Sequence, residues 1–264
     1  MTLEDFHVHS TFSDGKNTPE EIVEAALAMG MTRLGISDHS YTSFDLEPCV
    51  PKEKLAERRR VLAELKEKYR GRIELFCGIE QELYSDLHAE GYDYVIGSAH
   101  YLLLDGGYYS VDDTPERLRE TAERFFDGDM YALAEECFRT VSQVVERTNC
   151  DIIGHFDLIS KFNEKQPMFD PAHPRYVAAW QAAANALLRS GRPFEINTGA
   201  MSRGWRTSPY PAQDILVYLR DRGAKFLLSS DSHSAETLCF DFAAQAKNAK
   251  ALGLELIRFS PRGC

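Results

Sequence analysis

Short apolar runs alternate with longer amphipathic stretches along nearly the whole chain. A short apolar run bounded by turn residues is typical of a buried strand, whereas apolar positions three and four residues apart are typical of a helix. Strands that alternate with helices predict a parallel sheet, because each parallel strand needs a crossover connection. Seven strands are predicted, at residues 3–8, 33–37, 73–79, 94–98, 151–154, 193–197 and 225–230.

The stretches between these strands predict amphipathic helices. The first begins with a capping box, in which Thr18 is the N-cap, Pro19 opens the first turn and Glu21 reaches back to the cap. The charged positions of the helices are expected to face solvent. The predicted helices are residues 20–29, 51–69, 114–126, 131–148, 174–189 and 211–222. Seven strands that alternate with helices in 264 residues indicate one α/β barrel domain spanning residues 1–264.

Charge and composition limit the classes of partner that this domain is expected to bind. The chain has 41 acidic against 30 basic residues, and an acidic surface argues against a nucleic acid or an acidic membrane as partner. No apolar run approaches the roughly 20 residues that span a bilayer, and residues 1–5 lack the basic segment of an export signal. We therefore expect a soluble, cytoplasmic protein that acts on a small molecule. Its six cysteines lack paired spacing and predict buried free thiols.

Six of the eight histidines, with two carboxylates, lie at the ends of predicted strands. In a parallel barrel these ends converge on one face, so the side chains are expected to meet there. A hydrogen-bonded core histidine at each strand is the alternative, but it does not account for six together with interleaved carboxylates. The residues are His7, His9, His39, Glu80, His100, His155, Asp231 and His233. Imidazole and carboxylate without thiolate favour zinc, iron or manganese, and so many ligands imply two or three ions.

The same segments resemble a known superfamily. They are His7-Val8-His9-Ser10 with Asp14-Gly15, Ser37-Asp38-His39-Ser40, Gly97-Ser98-Ala99-His100, Gly154-His155-Phe156-Asp157 and Ser230-Asp231-Ser232-His233. Together they are similar to the four-part signature of the polymerase and histidinol phosphatase superfamily, in order and in spacing. The resemblance implies a distorted seven-stranded (β/α) barrel with a trinuclear metal site at the carboxyl ends of its strands.

The resemblance also divides the site residues among three ions. It implies that His7, His9, Glu80 and Asp231 bind one ion, that Asp14, His39 and His233 bind a second, and that Glu80, His100 and His155 bind the third. Glu80 would then bridge two ions. His88 and His173 remain outside these sets and are expected at the surface.

Within the superfamily, residues 91–101 and 154–162 look most like the monofunctional L-histidinol-phosphate phosphatases. That likeness implies hydrolysis of L-histidinol phosphate to L-histidinol and phosphate, a step of histidine biosynthesis. Arg203 and Lys161 are the strongest candidates for binding the phosphate, since a guanidinium suits a phosphate edge, and Arg206 and Ser10 are weaker ones. Asp231 and His233 complete the catalytic candidates.

Asp38 and Asp157 stand next to motif histidines. Either carboxylate could orient a histidine ring by accepting its N–H, as such groups often do around metal sites. Either could equally cap a loop, and the sequence leaves both possibilities open.

Three alternatives compete with this function. The first is a phosphoesterase of the same superfamily that acts on a nucleotide, a nucleoside bisphosphate or phosphotyrosine. The second is a metal-binding accessory domain without activity, which is disfavoured because no ligand position is lost. The third is an amidohydrolase, which typically calls for a carboxylated lysine where this chain has Glu80.

Overall fold

The structure is a computed structural model that describes residues 3–262. Eight of its strands form one sheet in the order β1-β2-β3-β4-β7-β8-β9-β10, and all neighbouring strands are parallel. The other two, β5 and β6, form an antiparallel hairpin. The strands are β1 Glu4–Asp5, β2 Arg33–Ile36, β3 Glu74–Glu82, β4 Tyr94–Ser98, β5 Tyr101–Leu104, β6 Gly107–Ser110, β7 Ile152–Ile153, β8 Phe194–Asn197, β9 Lys225–Ser229 and β10 Glu255–Leu256.

The prediction of an α/β chain with a parallel sheet is confirmed, but the count of seven strands is wrong. β10 adds an eighth strand beside β9. It is only two residues long and contains an exposed glutamate, so it produces no apolar run that the sequence pattern could show. The hairpin was also missed, although its Asp105-Gly106 turn, in which both residues have positive φ, is a typical hairpin signal.

The sheet curls so that β1 and β9 approach each other at their carboxyl ends. The backbone N–H of His9 donates to the carbonyl of Ser232 at 2.8 Å, and the N–H of Ser232 donates to the carbonyl of His7 at 3.1 Å. The bridge brings the segment after β1 against the segment after β9. Both segments carry site residues, so the curl itself assembles part of the site.

Helices cover the outside of the sheet. They are α1 Pro19–Ala28, α2 Leu55–Lys68, α3 Pro115–Phe126, α4 Met130–Val141, α5 Val144–Thr148, α6 Pro174–Leu188, α7 Gly199–Ser202, α8 Gln213–Arg220 and α9 Phe242–Ala251. The capping box of α1 is confirmed, since the Thr18 hydroxyl accepts from the N–H of Glu21 and the Glu21 carboxylate accepts from the N–H of Thr18. The helix predicted at 131–148 is instead two helices, α4 and α5. Within residues 3–262, no helix is long and apolar enough to cross a membrane.

An aromatic cluster fills the interior of the curled sheet. Phe6, Phe76 and Tyr94 pack there, and the Tyr94 hydroxyl donates to the carbonyl of Phe6 at 2.6 Å. Gly35 leaves the space that this requires, because a Cβ there would lie 2.2 Å from the Tyr94 hydroxyl. Phe6 directly precedes His7. The aromatic cluster therefore fixes the start of the segment that bears the first two histidines.

Five cysteines lie in the described part of the chain, and all are free thiols, as predicted. Four of them are buried, and Cys77 is partly buried. Cys264 lies outside the described residues.

A buried ion pair ties α2 to the sheet. Arg58, on α2, donates to the Asp38 carboxylate at 2.6 Å and to the carbonyls of Ile36 and Gly78 at 3.0 and 2.9 Å. Both charged side chains are completely buried. The expectation that the charges of α2 face solvent is therefore wrong for Arg58.

The same pair also holds the loop after β1. The Asp38 carboxylate accepts from the N–H of Ser10 at 2.6 Å and from the Ser13 hydroxyl at 2.9 Å. Burial by itself raises the pKa of Asp38, but the Arg58 charge and the hydrogen bonds from Arg58 and Ser10 together outweigh it and lower that pKa below its usual value. The carboxylate therefore stays ionised and anchors the loop that leads to Asp14.

Removing one partner of this pair should be costly. We expect Arg58→Met to lower the free energy of unfolding by about 3–5 kcal/mol, because it leaves a buried carboxylate without its counter-charge. Arg58→Met combined with Asp38→Asn should cost less than the sum of the single changes. Chemical denaturation of the four proteins measures this coupling. Arg60→Met removes an exposed ion pair with Glu64 on the same helix and serves as the control, with almost no expected change. A double variant that loses as much free energy of unfolding as the two single variants together would contradict the coupling of Arg58 and Asp38.

Candidate metal centre

The structure brings the six strand-end histidines together at the carboxyl edge of the curled sheet. The ring centroids of His9 and His39 are 4.3 Å apart, those of His9 and His233 4.1 Å, and those of His100 and His155 4.8 Å. The two remaining histidines lie elsewhere: His88 is exposed, and His173 caps the start of α6.

Glu80, on β3, lies at the centre of this cluster, and its Oε2 atom faces three imidazoles. It is 2.8 Å from His39 Nδ1, 3.3 Å from His7 Nε2 and 3.6 Å from His9 Nε2. Glu80 is 1% exposed. A carboxylate so deeply buried needs positive charge nearby, and these rings or a cation between them can supply it.

The other oxygen of Glu80, Oε1, faces the remaining side of the cluster. It is 2.9 Å from His155 Nε2 and 3.3 Å from His100 Nε2, and it accepts a hydrogen bond from the Ser98 hydroxyl at 2.6 Å. The His100 and His155 Nε2 atoms are 3.1 Å apart. One carboxylate therefore separates two groups of histidines and contacts both.

Two aspartates complete the cluster. Asp14 approaches His233 Nε2 at 3.2 Å, His39 Nε2 at 3.7 Å and His9 Nδ1 at 3.9 Å. Asp231 Oδ1 lies 3.3 Å from His9 Nε2. All nine residues predicted for the site are thus within one connected set of contacts.

Several buried atoms of the cluster have a lone pair or proton that the protein does not use. The Nε2 atom of His7, both ring nitrogens of His9 and the Oε2 atom of Glu80 are buried without a hydrogen-bond partner among residues 3–262. An unpaired buried polar atom is costly, so four in one cluster indicate that a ligand belongs there. Imidazole and carboxylate groups suit a divalent transition ion. The residues present therefore fit metal binding.

Three groups within the cluster have ligand atoms close enough to share an ion. They are His9, Asp14, His39 and His233; His7, His9 and Glu80; and His39, Glu80 and His100. These groups follow the three predicted sets in outline. They differ in two ways: His9 and His39 each belong to two groups, and Asp231 and His155 belong to none. His9 and His39 are shared because both rings lie between Asp14 and Glu80.

The carboxylates control the charge of the buried histidines. Burial lowers the pKa of His7, but the charges of Glu195, Glu80 and Asp231 outweigh it and raise that pKa well above its usual value. Burial raises the pKa of Glu80, but His7, His39 and His100 lower it well below its usual value. A proton and a metal ion would compete for the same nitrogen of His7, so metal binding here should release protons.

His9 behaves differently from His7. Burial and the neighbouring charges of His233 and His39 lower its pKa to about 4. Its ring is therefore neutral at physiological pH, which is the state in which imidazole binds metals.

Two carboxylates to which the sequence analysis assigned no role hold the histidines in place. Glu195, on β8, accepts from His7 Nδ1 at 2.8 Å and from the N–H of His155 at 2.5 Å. Glu82, on β3, accepts from the N–H of His100 at 2.8 Å and contacts its Nδ1 at 3.0 Å. A glutamate inside a buried strand was the signal that could have revealed Glu195, because a buried charge requires a partner.

Asp38 and Asp157, the carboxylates next to motif histidines, both contact loop residues. Asp38 bonds to the β1 loop and to Arg58, as described above. Asp157 accepts from the N–H of Ala212 at 3.2 Å and from the Ser160 hydroxyl at 3.2 Å, and it pairs with Arg206 at 3.5 Å. Of the two readings that the sequence left open, the structure favours loop anchoring for both aspartates.

The structure disfavours the weaker phosphate-binding candidates, Arg206 and Ser10. Arg206 is 6% exposed and is used by Asp157 and by nearby backbone carbonyls. Ser10 is completely buried, and its hydroxyl donates to Asp38. Neither side chain is free to meet a substrate.

Arg203 and Lys161 both line the cleft over the cluster. Arg203 donates to the Asp231 carboxylate at 3.0 Å and to its carbonyl at 2.9 Å, while a third of its side chain remains exposed. Gly199 permits this approach, because a Cβ there would lie 2.6 Å from the Asp231 carboxylate. Lys161 is held by Asp112 at 3.0 Å.

The cleft has a volume of about 730 Å³, within the range typical of small-molecule sites. Its lining from the cluster comprises Asp14, His39, His100, His155, Asp231 and His233. Residues of the 42–49 segment and of the β5–β6 hairpin continue the lining beyond them. The cluster is thus reachable from solvent on the side where Arg203 and Lys161 lie.

The chain is similar in sequence to known proteins. A protein of Deinococcus radiodurans named "Probable histidinol-phosphatase" is 30% identical, over 98% of this chain and 96% of its own length. A protein of the same name from Schizosaccharomyces pombe is 26% identical, over 81% of this chain and 74% of its own.

A solved structure has a similar fold. It is the histidinol phosphate phosphatase of Lactococcus lactis, complexed with zinc, L-histidinol and phosphate. It matches with a TM-score of 0.76 and 20% identity, over 98% of this chain and 97% of that chain. The PHP domain model matches residues 5–199, which include seven of the nine clustered residues. This chain belongs to the PHP domain family.

Proposed function

We propose that the protein is a metal-dependent phosphomonoester hydrolase that converts L-histidinol phosphate and water to L-histidinol and phosphate. The observation that carries the proposal is the cluster of nine histidine and carboxylate side chains around Glu80, with unused lone pairs, at the base of an open cleft. The substrate is supported by the relatives named histidinol-phosphatase and by the related fold of the protein solved with L-histidinol and phosphate.

The cluster is proposed to hold two to three divalent ions, and three are favoured, because it contains three groups of suitably spaced ligand atoms. Zinc, iron and manganese suit these ligands, and the related Lactococcus lactis structure contains zinc. The proposed ligands are His7, His9, Asp14, His39, Glu80, His100, His155, Asp231 and His233. Ions held there would supply charge neutralisation for the phosphate oxygens and activation of water at neutral pH.

The chain's own residues position the phosphate. Arg203 is fixed by two hydrogen bonds to Asp231, so its guanidinium is oriented beside the cluster before any substrate arrives. Lys161, held by Asp112, brings a second positive charge to the same cleft. We assign phosphate binding to these two residues. Asp231 and His233 are the remaining catalytic candidates, because both line the cleft next to Arg203.

The outer part of the cleft suits a substrate whose alcohol portion is aromatic and positively charged. Phe44 stacks on Tyr108 at 3.8 Å, and Tyr101 packs edge-on against Phe44 and donates to Asp45 at 2.7 Å. The exposed carboxylate of Glu47 lines the same region. Aromatic faces and carboxylates attract imidazole and ammonium groups and repel a second phosphate. This wall disfavours the nucleoside bisphosphate alternative.

We further propose that residues 1–264 act as one catalytic domain. Seven strands of its sheet, β1 to β4 and β7 to β9, would form the distorted barrel of the family, and β10 would extend it beyond β9. Support comes from the bridge between the segments after β1 and β9, which leaves β10 outside the ring of strands that bears the site.

Removal of the metal should abolish activity. We expect dialysis against a chelator to reduce phosphate release from L-histidinol phosphate to background, because the protein's own side chains cannot neutralise the phosphate and activate water together. Zinc, manganese or iron should restore the activity, and magnesium should do so poorly, since imidazole ligands suit transition ions. Elemental analysis of the same samples is the control. Full activity in a metal-free sample would refute the proposal.

Reversing one charge on the cleft wall should change substrate preference. We expect Glu47→Lys to lower kcat/KM for L-histidinol phosphate about five-fold at low ionic strength and to raise it for a nucleoside bisphosphate, because the wall then repels cations. Glu53→Lys makes the same charge change on an exposed helix residue outside the cleft lining and should alter neither value. Wild-type protein that prefers a nucleoside bisphosphate or phosphotyrosine would overturn the substrate assignment.

A further inference from the structure

Glu195 is completely enclosed behind the histidine cluster and contacts both sides of it. Its Oε2 atom accepts from the ring of His7, and its Oε1 atom accepts from the backbone N–H of His155. The residue is 1% exposed. Asn197 donates to Glu195 Oε1 at 2.9 Å and approaches Asp231 at 3.4 Å, so the network continues to a third side chain of the cluster.

The contact with His7 determines which ring nitrogen is free. A carboxylate oxygen only accepts, so the 2.8 Å contact requires the hydrogen of His7 to be on Nδ1. The Nε2 atom, which faces Glu80 at 3.3 Å and Asp231 at 3.7 Å, is then the nitrogen that an ion would bind. Glu195 therefore orients His7 for binding an ion on the Oε2 side of Glu80.

The contact with His155 acts on the opposite oxygen of Glu80. The hydrogen bond fixes the backbone of the segment that follows β7. From that segment the His155 ring reaches Glu80 Oε1 at 2.9 Å and His100 at 3.1 Å. One buried carboxylate thus holds residues of two different proposed ion positions.

We propose that Glu195 is a positioning residue that couples two ion positions, the one at His7, His9, Glu80 and Asp231 and the one at Glu80, His100 and His155. The inference rests on the metal site of the proposed function. Glu195 is then required for the protein to retain both of these ions. The third position, at Asp14, His39 and His233, does not include a residue that Glu195 holds in the described part of the chain.

Glu82 offers a matched comparison on the other side of the cluster. It is also buried, and both of its contacts with the cluster go to a single residue, His100, through the backbone N–H at 2.8 Å and the ring at 3.0 Å. Loss of Glu82 should therefore affect one ion position, whereas loss of Glu195 should affect two.

The test compares Glu195→Gln with Glu82→Gln in the full-length protein. Each protein is dialysed against a series of buffered zinc concentrations, and bound zinc per chain is measured by elemental analysis. We expect Glu195→Gln to lose two ions together, with about 10- to 100-fold weaker affinity, while one ion is retained. Glu82→Gln should lose one. Circular dichroism verifies that each variant is folded, and Glu195→Asp, which keeps the charge but shortens the reach to His7, replaces Glu195→Gln if that variant fails to fold.

The outcomes separate this inference from the proposed function. Loss of a single ion, or zinc binding equal to the wild type, in Glu195→Gln would overturn the coupling, whatever the substrate. A wild-type chain that binds fewer than two ions would overturn it as well. Phosphate release from L-histidinol phosphate is measured separately, so a protein that binds three ions but hydrolyses another ester would refute the substrate and leave the coupling standing.

Discussion

The arrangement of the site depends on one buried carboxylate that faces two ways. Glu80 directs Oε2 toward His7, His9 and His39, and Oε1 toward His100 and His155. A buried carboxylate is unfavourable unless positive charge surrounds it, and imidazoles from four different strand ends meet that requirement only if the sheet curls. The curl, the aromatic interior below the site and the bridge between the segments after β1 and β9 therefore belong to one arrangement.

Charged residues surround Glu80 and its histidines both on the interior side and on the solvent side. Glu195 and Glu82 hold the histidines from behind, while the Arg58 and Asp38 pair anchors the loop that leads to Asp14. On the solvent side, Arg203 joins the cluster to the cleft through Asp231. The residues on the interior side fix the positions of those nearer the cleft. Such preorganisation is what electrostatic catalysis requires. The acidic balance of the whole chain is compatible with an anionic substrate because the cleft carries its own basic groups at the site.

The sequence predicted the parts of the molecule that leave a periodic or repeated signal. The seven predicted strand positions correspond to strands of the sheet, and the histidines after them meet, because residues that end parallel strands must lie on one edge. The sequence pattern did not reveal β10, which is too short to show a period. It also did not reveal the burial of Arg58, because the many charged residues of its helix predict a solvent-exposed surface. The roles of Asp38 and Glu195 depend on partners distant in the chain, so spacing alone could not assign them. The proposed substrate could be inferred only through resemblance, because the cleft wall includes the missed hairpin and the 42–49 segment, which leave no signal in residue spacing.

The most direct measurement of the central claim is anomalous X-ray diffraction from crystals grown with zinc. The account predicts anomalous peaks on both sides of Glu80, with His7 and His9 about 2.0–2.1 Å from one ion, and His100 and His155 at the same distance from another. A further peak is predicted between Asp14, His39 and His233. Peaks confined to surface residues, or a Glu80 carboxylate that touches no ion, would contradict the account.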